Sequence, residues 1–308
     1  MDARLQRVQR ELLIAGFGVD TTDLPAWVMD RLTLVLQDRQ LREGELLWRA
    51  GEPLEHLYFI HRGRVQLVSE GAPPWTFEGR WFLGGFEGHL DRAARTAVAV
   101  AESPALVLPR RAWLELLEDS FDLTSRSVVA ASGTVAALDE RLEESVLGPA
   151  TRGAPPAGKL DTLTRLSLLT DLELARGAGV QALADLAAVS HPVALAAGEP
   201  LFRAGEAHGH LYLVVAGEIE SRRVAPDRIR HHGPGEIVGG PAAFGKRIAG
   251  WEARARESAL LVAIPRDAWF DLMEEHFGLA RSLFRQLTLW RERALDALAA
   301  RPEGLTLT

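Results

Sequence analysis

The sequence predicts a mainly β protein with flanking helices, built twice in tandem. The first observation is a repeat: GELLWRAGEPLEHLYFIHRGRV, Gly44 to Val65, returns from Gly198 as GEPLFRAGEAHGHLYLVVAGEI, identical without a gap at eleven of twenty-two positions. The second is a break: LGPATRGAPPAGK, Leu147 to Lys159, replaces the apolar periodicity with Pro, Gly and Ala and divides the 308 residues almost in half. The third is order, since each half reads helical, then strand-rich, then helical, as a duplicated domain would. The expected organisation is a first domain at 1–147, a linker at 148–159 and a second domain at 160–308.

In the first half, TDLPAWVMDRLTLVLQDRQL opens with Thr22 or Asp23 placed to cap a helix. It continues with Val28, Leu32, Leu34 and Val35 at helical spacing, which predicts a helix across this segment. From about Glu45 to Leu108 the pattern changes to short apolar runs, HLYFI, VQLV and ALVLP, punctuated by Gly and Pro, and these predict strands. Gly51 and Gly63 bracket one run, and Gly205 and Gly217 bracket its copy, where tight turns call for positive φ. PRRAWLELLEDSF then predicts a short helix. SVVAASGTVAALDERLEESVL predicts a longer one, with Val128, Val135, Leu138, Leu142 and Val146 on one stripe. The second half repeats the pair with PRDAWFDLMEEHF and the stripe Leu279, Leu283, Leu287, Trp290 and Leu298. Trp113 and Trp269 stand one turn into the two short helices and are expected to pack them on the strands. The long stripes either cover their own β unit or make an interface, as an internal pseudo-dimer or a homodimer.

Composition excludes several classes. A net charge of -7, from 35 basic and 42 acidic residues, gives no overall attraction for nucleic acid or anionic membrane. The absence of cysteine removes disulfides, thiolate metal sites and cysteine redox chemistry. No apolar run is long enough for a signal peptide or a membrane span, so a cytoplasmic protein without membrane contact is expected. No nucleophile elbow, lysine-bearing phosphate loop or His-Glu zinc motif occurs, so the chain is not expected to be an enzyme. His208 and His210, and the pair His231 and His232, lack the further spaced ligands of a metal site, and solvated loop histidines are the better reading.

The repeated pattern Gly-Glu-x-Leu-aromatic-Arg-x-Gly-Glu, followed by Leu-Tyr and then Gly-x-Val or Gly-x-Ile, resembles the cyclic nucleotide-binding domain of catabolite-activator proteins and kinase regulatory subunits. The resemblance covers about residues 22 to 146 and 160 to 300. It implies two tandem eight-stranded jelly-roll domains, each followed by a short and a long helix. The forty or so residues after Pro265 are taken up by the same two helices as in the first half. A helix-turn-helix domain and direct nucleic-acid binding are therefore not expected.

The resemblance also implies a site. In the family a glutamate after Phe-Gly accepts the ribose hydroxyl, and about ten residues later an Arg-Ser/Thr-Ala triplet takes the cyclic phosphate, with backbone N–H groups completing the cradle. In FLGGFEGHLDRAARTAVAVA, Arg95, Thr96 and Ala97 match the phosphate triplet, and Gly84 matches the preceding glycine. Gly85 stands where the glutamate belongs, and Glu87, two residues on, is its candidate substitute. In the second copy Gly239 and Gly240 remain, no glutamate follows, and Trp251 falls at the arginine's place, so this copy is expected not to bind. The function implied is a regulatory protein that senses cyclic AMP, cyclic GMP or a related phosphate in its first domain and signals to a protein partner, with no cofactor. The alternative is a ligand-independent scaffold, suggested by Gly85 and Trp251.

Overall fold

The computed structural model describes residues 25–148, 151, 159–206, 209–223, 227–245, 250–300 and 305–307. Thr22, Asp23, His208 and most of the Pro/Gly/Ala linker lie outside these residues. The chain forms two compact units, one of residues 1–131 with 291–308 and one of residues 132–290. These differ from the linear halves 1–147 and 160–308. The long helix α3, Phe121–Asp139, runs past the 131/132 boundary, and the last helix, α8, Phe277–Ala299, gives its residues from Arg291 onward to the first unit.

The first unit begins with α1, Ala26–Val35, which buries Val28 and Leu32. The helix stops there, short of the predicted segment, because Gln37–Leu41 is strand β1, paired with Ser103–Pro109, β8. Tertiary pairing has overridden the helical periodicity. The other strands are β2, Leu46–Trp48; β3, His56–Ile60; β4, Arg64–Ser69; β5, Ala72–Glu78; β6, Trp81–Leu83; and β7, Thr96–Ala99. They form one sheet in the order β1-β8-β3-β6 and another in which β5-β4-β7-β2 follow one another. The edge of β5 is covered by a parallel strand from the end of the chain, Leu305–Leu307, with Leu305 opposite Trp75. An uncovered edge offers unpaired N–H and C=O groups, and this strand pairs them.

The second unit contains two helices, α4, Thr162–Asp171, and α5, Val180–Val189, ahead of its strands. Strands β9, His191–Leu195; β11, His210–Ala216; β14, Ile237–Val238; and β16, Ala259–Pro265 form one sheet. Strands β10, Pro200–Phe202; β12, Ile219–Arg223; β13, Arg228–His232; and β15, Trp251–Ala255 form the other. Registers repeat between units: His56 faces Pro109 as His210 faces Pro265. Both units are jelly rolls.

Each β8-like strand ends in the Pro-Arg that starts a short helix, α2, Arg110–Asp119, or α7, Arg266–Glu275. Trp113 and Trp269 are buried, edge-on to Phe82 and Phe244 with ring centroids 5.8 and 5.7 Å apart. The turn glycine Gly217 is required on two counts. Its φ is +79, and an added Cβ would lie 2.4 Å from the Ser258 carbonyl oxygen.

The stripe predicted to Val146 is cut short, since α3 ends at Asp139. The chain then tightens, with Leu142 N–H donating to the Asp139 carbonyl. This turn aims the Asp139 carboxylate at Arg230 and presents the Leu142 carbonyl to Arg228, which donates to it over 2.9 Å. Local helix propensity yields to these contacts within the second unit. The second stripe lies wholly on α8, and Leu279, Leu283, Leu287, Trp290 and Leu298 are all buried.

Candidate functional site

Gly84, Gly85 and Glu87 follow β6, and Arg95, Thr96 and Ala97 enter β7. Gly84 has φ +87, and an added Cβ would meet Leu54 Cδ2 at 2.9 Å. At Gly85 a Cβ would stand 2.6 Å from the Phe82 ring, so the ring fills the space a glutamate would need at this backbone position. Glu87 opens a 3-10 turn, Glu87–His89, and is buried. Its Oε2 accepts from Gly84 N–H at 3.1 Å, and its Oε1 accepts from Arg291 Nη1 at 2.8 Å. Glu87 is thus a committed ion-pair partner.

Arg95 is 6% exposed. Its guanidinium lies 3.9 Å from the centroid of Trp75, its Nη1 donates to the Pro73 carbonyl at 3.2 Å, and its Nη2 donates to the Asp296 carboxylate. The backbone is fixed as well: the Arg95 carbonyl accepts from Trp48 Nε1, and Thr96 Oγ1 accepts from Ala50 N–H. Ala97 is fully buried opposite Leu67. The buried guanidinium thus lies over an indole and is paired with a carboxylate.

The residues that meet Arg95 and Glu87 come from the end of α8. Arg291 is buried and lies over the rings of Phe86, at 4.7 Å, and Phe77, at 5.6 Å. Glu292, beside it, has its carboxyl pushed up to about 7, first by burial and then by the negative charges of Glu87 and Asp296; the cations Arg291 and Arg95 offset only part of this.

The second unit has a cavity of about 390 Å³ lined by, among others, Asp139, Phe202, Ser221, Arg230, Trp251 and Trp290. Gly239, in the left-handed region, caps the short helix α6, Gly240–Phe244, and both glycines line this cavity. Trp251 begins β15, whose residues 251, 253 and 255 are buried while Arg254 is exposed and paired with Glu220. Trp251 does stand two residues ahead of Ala253, and the guanidinium over its ring comes from Arg230 of β13. Its guanidinium lies 5.2 Å from the Trp251 centroid and donates to the Asp139 carboxylate.

The registers explain the substitution. Leu67 faces both Ala97 and Trp75, and Ser221 faces both Ala253 and Arg230. Trp75 and Arg230 therefore hold equivalent places, as do Arg95 and Trp251, two residues ahead of Ala97 and Ala253. The arginine–tryptophan pair is kept with its members exchanged. His232, on the same strand as Arg230, is half-buried and has its pKa pushed down to about 4 by desolvation and by Arg230 and His231, and it meets Ser221 Oγ at 3.0 Å. Among the described residues, no group of three His, Cys, Asp or Glu side chains is arranged to hold a metal.

Compared with known proteins, the model of the cyclic nucleotide-binding domain matches residues 38–120 and 192–276. The chain belongs to the cyclic nucleotide-binding domain family. Both jelly rolls are cyclic nucleotide-binding domains. No curated protein sequence is similar to the chain. Similar solved structures include cAMP-bound PfPKA-R (141-441), 15% identical over 89% of this chain and 85% of that one, with a TM-score of 0.37. The regulatory domain of Toxoplasma gondii PKA with cAMP is 14% identical over 89% and 94%, with a TM-score of 0.34. The sensor domain of the transcriptional regulator DNR from Pseudomonas aeruginosa is 20% identical over 42% and 89%, with a TM-score of 0.36. Among the described residues, no helix is long and apolar enough to cross a membrane.

The sequence motif pointed to Arg95, Thr96 and Ala97 in the first unit but gave no sign of Arg291, Glu292 and Asp296, which gather around Arg95 and Glu87, nor of Asp139 and Arg230 in the second. The only local signal was i, i+4 spacing of Glu292 and Asp296, which puts two carboxylates on one helix face.

Proposed function

We propose that this chain is a non-enzymatic regulatory protein whose first unit binds cyclic AMP, cyclic GMP or a related phosphate. The single observation behind this reading is Arg95, a buried guanidinium on Trp75 whose Nη2 already carries an anionic group. A cyclic phosphate makes the same charge-assisted contact. Thr96 Oγ and the backbone around Gly84 and Gly85 would complete the cradle, as the family resemblance implies. Binding would be relayed by α3 and α8, the helices shared between the units, to a protein partner in the cytoplasm. Isothermal titration of the full chain with cyclic AMP and cyclic GMP tests the reading. Saturable heat that disappears in Arg95→Met is expected; silence up to millimolar nucleotide in wild type and in a variant with Arg95 unmasked would overturn it.

A scaffold that needs no ligand is the second reading. It is favoured by one observation, that Arg95 and Glu87 both find their partners within the chain. The same titration separates the two.

A further inference from the structure

We infer that the end of α8 is a built-in competitor for the first unit's site: the Asp296 carboxylate holds the place of the ligand phosphate on Arg95, Arg291 locks Glu87, and a phosphate ligand binds by displacing them. This rests on the phosphate reading of Arg95 given above and adds what regulates it.

The geometry carries the argument. One face of the Arg95 guanidinium is covered by Trp75 and Nη1 is held by the Pro73 carbonyl, so Nη2 is the nitrogen presented to an anion. Asp296 takes that nitrogen. A carboxylate offers two oxygens that share one negative charge, the same acceptor chemistry as the two exocyclic oxygens of a cyclic phosphate. The occupant is also reachable. Arg95 is 6% exposed, whereas the Asp296 side chain is 54% exposed, so of the two partners the carboxylate is the one open to solvent and to displacement.

The second contact closes the ribose side. Glu87, the candidate for the ribose hydroxyl, spends one oxygen on Gly84 N–H and the other on Arg291. Arg291 lies over the rings of Phe77 and Phe86 with 8% of its side chain exposed. A sugar therefore reaches Glu87 only after Arg291 withdraws. Asp296 and Arg291 lie on one helix, five residues apart, so both halves of the site are closed and opened by one element.

The charges keep this closure reversible. Two guanidiniums, Arg95 and Arg291, face three carboxylates, Glu87, Glu292 and Asp296, and the excess negative charge opposes docking whenever all three are ionised. A ligand that must first displace the helix end has its apparent affinity reduced by the fraction of molecules already open.

The test compares wild type with Asp296→Asn, which keeps the side chain's shape, and with Asp296→Ala, by titration with cyclic AMP and cyclic GMP. Far-ultraviolet circular dichroism confirms that each variant is folded. Removing a charged competitor for one charge-assisted hydrogen bond should tighten binding by roughly ten-fold or more in both variants. Adding Arg95→Met to either variant should abolish the gain. Equal affinity in wild type and both variants overturns the competition and leaves the phosphate reading standing. No binding by any of them overturns the phosphate reading, and the competition with it.

Discussion

Arg291 donates from Nη1 to Glu87 Oε1 over 2.8 Å, and only 8% and 5% of the two side chains remain exposed. Neither charge has water to fall back on, so each depends on the other. Arg291→Met should lower the stability of the first unit by about 3–5 kcal/mol, the usual consequence of leaving a buried charge without its partner. The double change Glu87→Gln with Arg291→Met should recover most of this in urea unfolding. A double variant no more stable than the single one would show that the pair is not what holds this contact.

Glu292 gives the first unit a pH dependence. Its carboxyl titrates near 7 when folded against 4.5 as the ordinary value, raised by burial, Glu87 and Asp296 against the opposing Arg291 and Arg95. The folded state therefore binds this proton more tightly than the unfolded state. Its stabilising contribution is complete below about pH 4.5 and is lost as pH rises through 7. Thermal melts of Glu292→Gln should be flatter than wild type between pH 5 and 8, with the gain in stability at the alkaline end. Parallel melts for the two proteins across that range would contradict this.

His232 acts with the opposite sign in the second unit. Its folded pKa of about 4 lies below the ordinary 6.5, so the folded state holds it neutral. The stability linked to this is present above pH 6.5 and lost as pH falls towards 4. His232→Asn should remove part of the acid sensitivity between pH 6.5 and 4, read by tryptophan fluorescence.

Asp139 is 2% exposed in the second unit and depends on Arg230, with Ser145 Oγ as a further donor. Arg230→Met should destabilise this unit by about 3–5 kcal/mol. Asp139→Asn with Arg230→Met should restore a large part of it in the same urea titration.

Gly198 and Gly217 separate backbone strain from crowding. Both have positive φ, but a Cβ at Gly198 meets nothing within 4 Å, whereas at Gly217 it meets the Ser258 carbonyl oxygen at 2.4 Å and Ala259 Cα at 2.7 Å. Gly198→Ala should cost about 1–2 kcal/mol, the price of left-handed backbone alone. Gly217→Ala should cost clearly more, because backbone atoms must move.

The strands and turns were legible because they are written locally and written twice. The stretch from Gly44 carries its own alternation and its own turn glycines, and its copy from Gly198 adopts the same pairing. What escaped was long-range. Gln37–Leu41 continued a helical pattern but serves as a partner for β8, and Leu142 continued a helical stripe but lies in a turn beyond Asp139. In the candidate site, a motif pointed to Arg95, Thr96 and Ala97, yet the Arg95 partner lies 201 residues away. The cation of the second cavity was missed because position 251 was read alone. Strand register places the arginine at 230, on the far side of β12 from Trp251, and keeps the indole.

Amide hydrogen exchange over residues 291–299 of the full chain, with and without saturating cyclic AMP or cyclic GMP, tests the central claim most directly. Displacement of Asp296 and Arg291 by the nucleotide predicts faster exchange in this segment on binding, with slower exchange around Arg95. Unchanged or increased protection of 291–299 in the nucleotide-bound chain would contradict it.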